Sequence, residues 1–162
     1  MGTNPVEPLF GLSVWMPDCF GWQSAASVGA AIRRMLMATA ERRRADDILV
    51  DAVIVWESLF GAPQEATLRV TSSLALLLGG SAQDHRDRQK AYKRVSHCRS
   101  QVVHGKQPKP DTVYQHSQEA VETSIQALRA IFTTHSSLLM AKDSEERSLR
   151  ILVAGEKGFG GN

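Results

Sequence analysis

The sequence predicts an all-α fold, an antiparallel bundle of about five main helices. Three observations carry that expectation. Apolar residues recur three and four positions apart through most of the 162 residues. Gly and Pro clusters cut the chain into lengths that suit helices, and β-type alternation is weak throughout, with no internal repeat. Short connections such as Gly61-Ala62-Pro63 favour neighbouring helices that turn back on one another. Residues 1–22 read as an N-terminal arm that packs, 23–153 as one helical domain, and the Gly-rich stretch 154–162 as a flexible tail.

In chain order, the arm is rich in Pro and Gly and holds Trp15 and Trp22. Ser24 offers an N-cap to a first helix, in which Val28, Ile32, Met35 and Thr39 share a stripe with Ala31 and Leu36 beside it. That helix is expected to finish in Arg42-Arg43-Arg44, because cations suit a helix C-terminus. Asp46 or Asp47 starts a second helix, Ile48 to Phe60, with Leu49, Ala52, Val53, Trp56 and Phe60 on one side; it should be the most buried segment. Pro63, with Glu65 a turn later, is expected to open a third helix with Leu68, Ala75 and Leu78 on its stripe, ended by Gly79-Gly80.

Ser81-Ala82-Gln83-Asp84 resembles a capping box and opens a fourth helix with a narrow seam of Ala91, Val95, Cys98 and Val102. Gly105 and Pro108-Lys109-Pro110 stop it. Asp111 is expected to cap a fifth helix with Val121, Ile125, Leu128 and Phe132 as its core stripe, and a short sixth helix is expected near Glu145 to Val153.

Composition narrows the class. Hydrophobic residues make up 43% of the chain, enough for a core, and no apolar run is long enough for a membrane span. Cys19 and Cys98 lie far apart and form no paired spacing, so neither a disulfide framework nor a zinc module is indicated, and a reducing, cytoplasmic setting is expected. The N-terminus lacks the basic and apolar regions of a secretory signal. Charge is concentrated in one place. From Asp84 to Lys109 the chain carries eight Lys and Arg against Asp84 and Asp87, a net +6, which leaves −4 elsewhere for a total of +2. Such a patch concentrates an anionic partner, and nucleic acid is the commonest anion that a basic helix meets, the plain alternative being a solvated helix face; Arg88, Tyr92, Lys93 and Lys106 are the candidate contacts, with a core or rim place as the plainer reading of Tyr92.

The basic segment closes on Arg99-Ser-Gln-Val-Val-His104-Gly105. A guanidinium offers a planar fork of donors that matches phosphate oxygens, and an imidazole serves as both acid and base near neutral pH. RNA supplies its own nucleophile in the ribose 2′-OH. A nuclease acting on it therefore needs only a base for that proton and a cation for charge at the phosphorus. Cleavage by that route leaves a 2′,3′-cyclic phosphate and a 5′-OH, and DNA resists. On an ideal helix five positions put Arg99 and His104 about 140° apart and about 7.5 Å along the axis, flanking a groove. Ser100 or Gln101 can orient the imidazole, and Gly105 allows the last turn to unwind. His97, Gln101 and His104 form a row, yet no clustered acid or cysteine completes a metal site, so no metal or cofactor is expected. Glu57, on the apolar second helix, is expected to pair with an arginine such as Arg69 or Arg99 and hold it, or to face solvent.

Three blocks in order carry a resemblance to a known family: Asp51-Ala-Val-Ile-Val-Trp-Glu57-Ser-Leu-Phe-Gly61, a helix ending Leu76-Leu77-Leu78-Gly79, and the basic helix closing on Arg99-Ser100 and His104-Gly105. Over roughly residues 46–110 the chain looks like the ApeA-like branch of the HEPN superfamily. The resemblance implies a helical bundle that forms a homodimer with two copies of the motif facing each other across the interface. It also implies a metal-independent endoribonuclease of a phage-defence or toxin-type system, with an antitoxin or an upstream regulatory domain as a further partner. In that reading His104 is the general acid and base, Arg99 binds the transferring phosphate, and Ser100 occupies the polar position after the arginine. The alternative is a non-catalytic HEPN dimerisation module that binds RNA, a nucleotide or a partner protein.

Overall fold

The structure, a computed structural model, describes residues 22–153 and 155. Apart from Trp22 and Gly155, the expected arm and tail lie outside the described residues. In order run α1 (Trp22–Leu36), a π-helical turn (Met37–Glu41), α2 (Ala45–Phe60), α3 (Ala66–Leu77), α4 (Ala82–Val103), α5 (Pro110–Thr133), a 3-10 turn (Ser136–Met140) and α6 (Ser144–Leu152). All regular structure among the described residues is helical, as expected, and none of these helices is long and apolar enough to cross a membrane.

The bundle is built around α2. Leu49, Ala52, Val53, Val55, Trp56, Leu59 and Phe60 are all buried, and α2 touches each of the other α-helices. Trp56 fills its centre. The indole Nε1–H donates to Ser124 Oγ at 3.0 Å, and the ring meets Tyr92 edge-on with centroids 5.3 Å apart. Ser124 in turn donates to the Ala120 carbonyl at 2.8 Å, so the polar atoms that burial strips of water are satisfied inside the core.

Arginines hold α2 at two places, near its middle and close to its C-terminus. At its N-terminal half the buried Asp51 carboxylate accepts from Arg34 Nη1 at 3.0 Å and from Arg42 Nε at 2.7 Å. Near its C-terminus Arg147 of α6, fully buried, donates from Nη1 to the Leu59 carbonyl at 2.9 Å and from Nε to the Leu138 carbonyl at 3.1 Å.

Several local expectations change. Ser24 lies inside α1, which begins at Trp22. The first helical run does finish where the three arginines begin, with Arg42 as its C-cap, but its last turn is not α-helical. The chain widens into the π-helical turn, Arg42 N–H bonding back to the Met37 carbonyl at 3.0 Å, and Arg42 is then free to turn onto Asp51. Arg44 grips Asp46 with two bonds, at 3.0 and 2.7 Å, where α2 starts. Pro63 does not open α3, because Glu65 adopts a left-handed φ of 52° and the helix starts at Ala66; Leu68 is consequently exposed. Pro110, with φ suited to a first turn, leads α5 in place of a capping Asp111.

The largest change concerns α5, whose buried positions are Val113, Ser117, Ala120, Thr123, Ser124, Ala127 and Ile131. Mostly small residues face α2 because the Trp56 indole occupies the space between the helices. The expected stripe lies about 100° further round: Val121 and Leu128 are half-buried, while Ile125 and Phe132 are exposed, as is Tyr114 on the same flank.

The capping box at the start of α4 forms as expected. Asp84 N–H donates to Ser81 Oγ at 3.2 Å, and Ser81 N–H donates to Asp84 Oδ2 at 2.8 Å. The Ser81 hydroxyl, and then its backbone N–H, hold the Asp84 carboxyl below its ordinary range. A carboxyl depressed by folding stabilises above its unfolded pKa, and that contribution fades as pH falls through the lower folded value, below about pH 4. Replacing Ser81 with Ala is expected to lower Tm by about 3–5 °C at neutral pH, with a smaller difference at pH 3. Thermal melts at the two pH values check it, and an equal difference at both would refute the link to Asp84.

Candidate nucleic-acid interface

Six of the chain's 19 Lys and Arg lie on α4, and its helical spacing sorts them by face. Val95, Cys98 and Tyr92 are buried, with Ala91 and Val102 half-buried beside them. Arg86, Lys90, Lys93, Arg94, His97 and His104 are all exposed. Among the described residues, no carboxylate pairs with Lys90, Lys93, Arg94, His97 or His104. A long helix with one outward side of unneutralised cations is an electrostatic footprint for a polyanion.

Arg99 and His104 leave α4 in different directions. Arg99 turns inward, where its Nη2 donates to Glu57 Oε2 of α2 at 3.3 Å while its buried Nε finds no partner. Of the expected options for Glu57, the pair with Arg99 is the one that forms; Arg69 instead binds Glu145 Oε1 at 3.1 Å. One monodentate bond leaves most of the guanidinium fork open while fixing where it points.

His104 is the C-cap of α4 and is exposed. The helix end does not unwind. Gly105 takes a left-handed φ of 73°, its N–H bonds to the Val102 carbonyl at 3.0 Å, and Lys106 N–H reaches the Gln101 carbonyl at 2.9 Å. This is a Schellman closure, in which only a glycine adopts the required φ without strain. Ser100 accepts the His104 backbone N–H at 3.0 Å, but neither the Ser100 hydroxyl nor the Gln101 amide bonds the imidazole. Gln101 therefore does not orient that ring, and its side chain lines a cleft between α4 and α5.

Two expected RNA contacts are corrected. Arg88 donates from Nη1 to the carbonyls of Leu78, at 3.2 Å, and Gly79, so it closes the end of α3 rather than facing a ligand. Tyr92 is 5% exposed against Trp56, and burial pushes its phenol pKa up; it is a core residue and offers no ring for a base. Lys93 and Lys106 remain exposed.

Two clefts border this face. The larger, about 790 Å³, lies beside the His104 turn, with Lys106 and Lys109 from the loop, Arg44 and Asp46 from the start of α2, and Val102 and Val113 beneath. The smaller, about 380 Å³, lies between α4 and the first turns of α5. It brings Arg94, Thr112 and His116 together, none of which the sequence analysis singled out as a contact. The spacing of Thr112 and His116, one turn apart beside the Pro110 start, was the available signal. Cys98 lies at the same cleft, and burial raises its thiol pKa, which keeps it protonated and unreactive. Among the described residues no group of three His, Cys, Asp or Glu is arranged to hold a metal ion.

No family model, no curated protein and no solved structure matches this chain.

Proposed function

We propose that the chain is a metal-independent endoribonuclease of HEPN type that works as a homodimer, with His104 and Arg99 from two copies meeting at one scissile phosphate. The observation that carries the reading is an exposed imidazole at the end of a helix whose outward side is cationic, with Arg99 fixed by Glu57 a turn earlier. One imidazole takes the 2′-OH proton, and O2′ attacks phosphorus. The P–O5′ bond breaks as a second imidazole protonates O5′, leaving a 2′,3′-cyclic phosphate and a 5′-OH. Arg99 stabilises the charge that builds on the phosphate oxygens. Each protomer carries one such exposed histidine in this motif, so the acid and the base come from two protomers. A role in phage defence or in a toxin-type system, with an antitoxin or upstream domain restraining the site, follows from the HEPN resemblance alone.

The second reading, a non-catalytic module that binds RNA, a nucleotide or a partner protein, draws support from the same ion pair. A guanidinium engaged by Glu57 serves the bundle first. Incubating the purified chain with RNA in EDTA separates the two. Cyclic-phosphate ends on RNA, with DNA untouched, are the expected result; RNA that is bound and never cut would establish the module instead.

A further inference from the structure

The cleft between α4 and α5 holds a chemistry that the Arg99/His104 motif does not use. From α4 it receives Lys93, Arg94 and His97, and from α5 Thr112 and His116; no carboxylate lines it. Lys93, Arg94 and His97 have no partner among the described residues, whereas the His116 ring is steadied by Glu119, Nδ1 to Oε2 at 3.4 Å. Most other arginines of the described bundle are engaged with carboxylates or carbonyls: Arg34 and Arg42 on Asp51, Arg44 on Asp46, Arg69 on Glu145, Arg150 on Glu146. The pair at 93 and 94 stands out as uncommitted charge at a concave place.

The backbone adds to this. Thr112 lies in the first turn of the 24-residue α5, where N–H groups lack intrahelical acceptors and the helix dipole favours an anion. Asp111 shares that turn but does not line the cleft. The cleft, about 380 Å³, is an open groove with a mostly apolar floor, so it meets an extended strand along its length, with the charged heads of Lys93 and Arg94 free to reach the backbone phosphates, rather than enclosing a ligand. Lys93, His97, Gln101 and His104 also follow one row along α4, so a strand seated in the cleft continues toward His104, about 16.5 Å along the axis from Lys93 and about 4.5 Å beyond Gln101 at the near end of the cleft.

We propose that this cleft is a phosphate-binding subsite, built by Lys93, Arg94 and the first turns of α5, that holds the backbone of single-stranded RNA leading to His104. It deepens the nuclease reading and rests on it only for the direction of the strand. A free nucleotide carries the same phosphate chemistry, and the test separates the two sources.

Binding is read by fluorescence anisotropy with a short 2′-O-methyl RNA, which lacks the attacking hydroxyl, and in a second arm with labelled ADP. The variant Lys93→Ala/Arg94→Ala is expected to bind RNA about tenfold more weakly, and its slope of log K against log salt should shrink by about 1.4, two phosphate contacts at about 0.7 each. Thr112→Asp puts a carboxylate at a helix N-terminus, where it favours folding but repels phosphate, and should weaken binding similarly. Arg129→Ala, an exposed cation of α5 outside the cleft, should change nothing. ADP bound and lost in the same variants would assign the subsite to free nucleotides while upholding phosphate binding. Both variants binding RNA and ADP like the parent would overturn the proposal. A chain that binds through Lys93 and Arg94 yet never cuts unmodified RNA would end the nuclease reading and leave the subsite standing.

Discussion

Replacing Arg147 with Ala is expected to cost about 3–5 kcal/mol of stability, the largest loss for any single residue of α6. The guanidinium is fully buried and joins three elements, the end of α2 through the Leu59 carbonyl, the 3-10 turn through the Leu138 carbonyl, and α6 itself. Truncation leaves both carbonyls without these donors in a dry site, at roughly 1–3 kcal/mol each, and opens a cavity as well. Burial lowers the arginine pKa, yet a guanidinium keeps its proton throughout the ordinary pH range, so the charge stays and needs its acceptors. Arg147→Met separates the two contributions, because it refills the volume without restoring the donors; it should recover only part of the loss. Urea melts of the three proteins decide it. An Ala variant within about 1 kcal/mol of the parent would mean that water or a neighbour replaces the arginine without cost.

His104→Ala is expected to lower RNA cleavage by about 10²–10⁴-fold while leaving the fold intact, since the side chain is exposed and makes no bond that the helix end needs. The Schellman closure uses only backbone atoms at this position, so the melting curve should stay where it was. Mixing the variant with the parent chain tests the two-copy mechanism directly. If each site needs both imidazoles, an equal mixture that exchanges freely retains roughly a quarter of the parent activity, whereas independent sites retain about half. A mixture holding half the activity, with dimers present by light scattering, would remove the shared site. Arg99→Ala should lose rate as well, and Glu57→Gln should lose less, because the fork keeps its charge when its anchor is weakened.

The helical class, the capping box and the central place of α2 were legible because each depends on local spacing. Ser81 and Asp84 cap their own helix, and the stripe of Leu49, Val53, Trp56 and Phe60 points one way on any helix. The face that α5 buries was not legible. Val121, Ile125, Leu128 and Phe132 make the better apolar stripe, yet α5 buries the face of Ala120, Ser124 and Ala127, on which Ser124 meets the Trp56 indole, and that partner lies 68 positions away in the sequence. At the candidate site the Arg99–Glu57 pair was foreseeable as one of two partners, because an acid on an apolar helix needs a cation. The loss of Arg88 to the end of α3 was not, since it depends on where α3 lies against α4, whereas a core place for Tyr92 was already the plainer expectation. The cleft at Lys93 and Arg94 also belongs to two helices, and neither sequence segment contains it alone.

With the Asp51 carboxylate gripped near its middle and its C-terminal carbonyl at Leu59 tied to Arg147, α2 is restrained at two places as well as enclosed along its length. Amide protons of this helix should therefore be the last to exchange with deuterium, giving way only when the entire molecule opens, while those around Gly105 and Lys106 trade with solvent long before. The enclosed helix and the exposed turn, whose amides are held only by its two closing bonds, should then differ widely in protection, although fewer than fifty residues separate them along the chain.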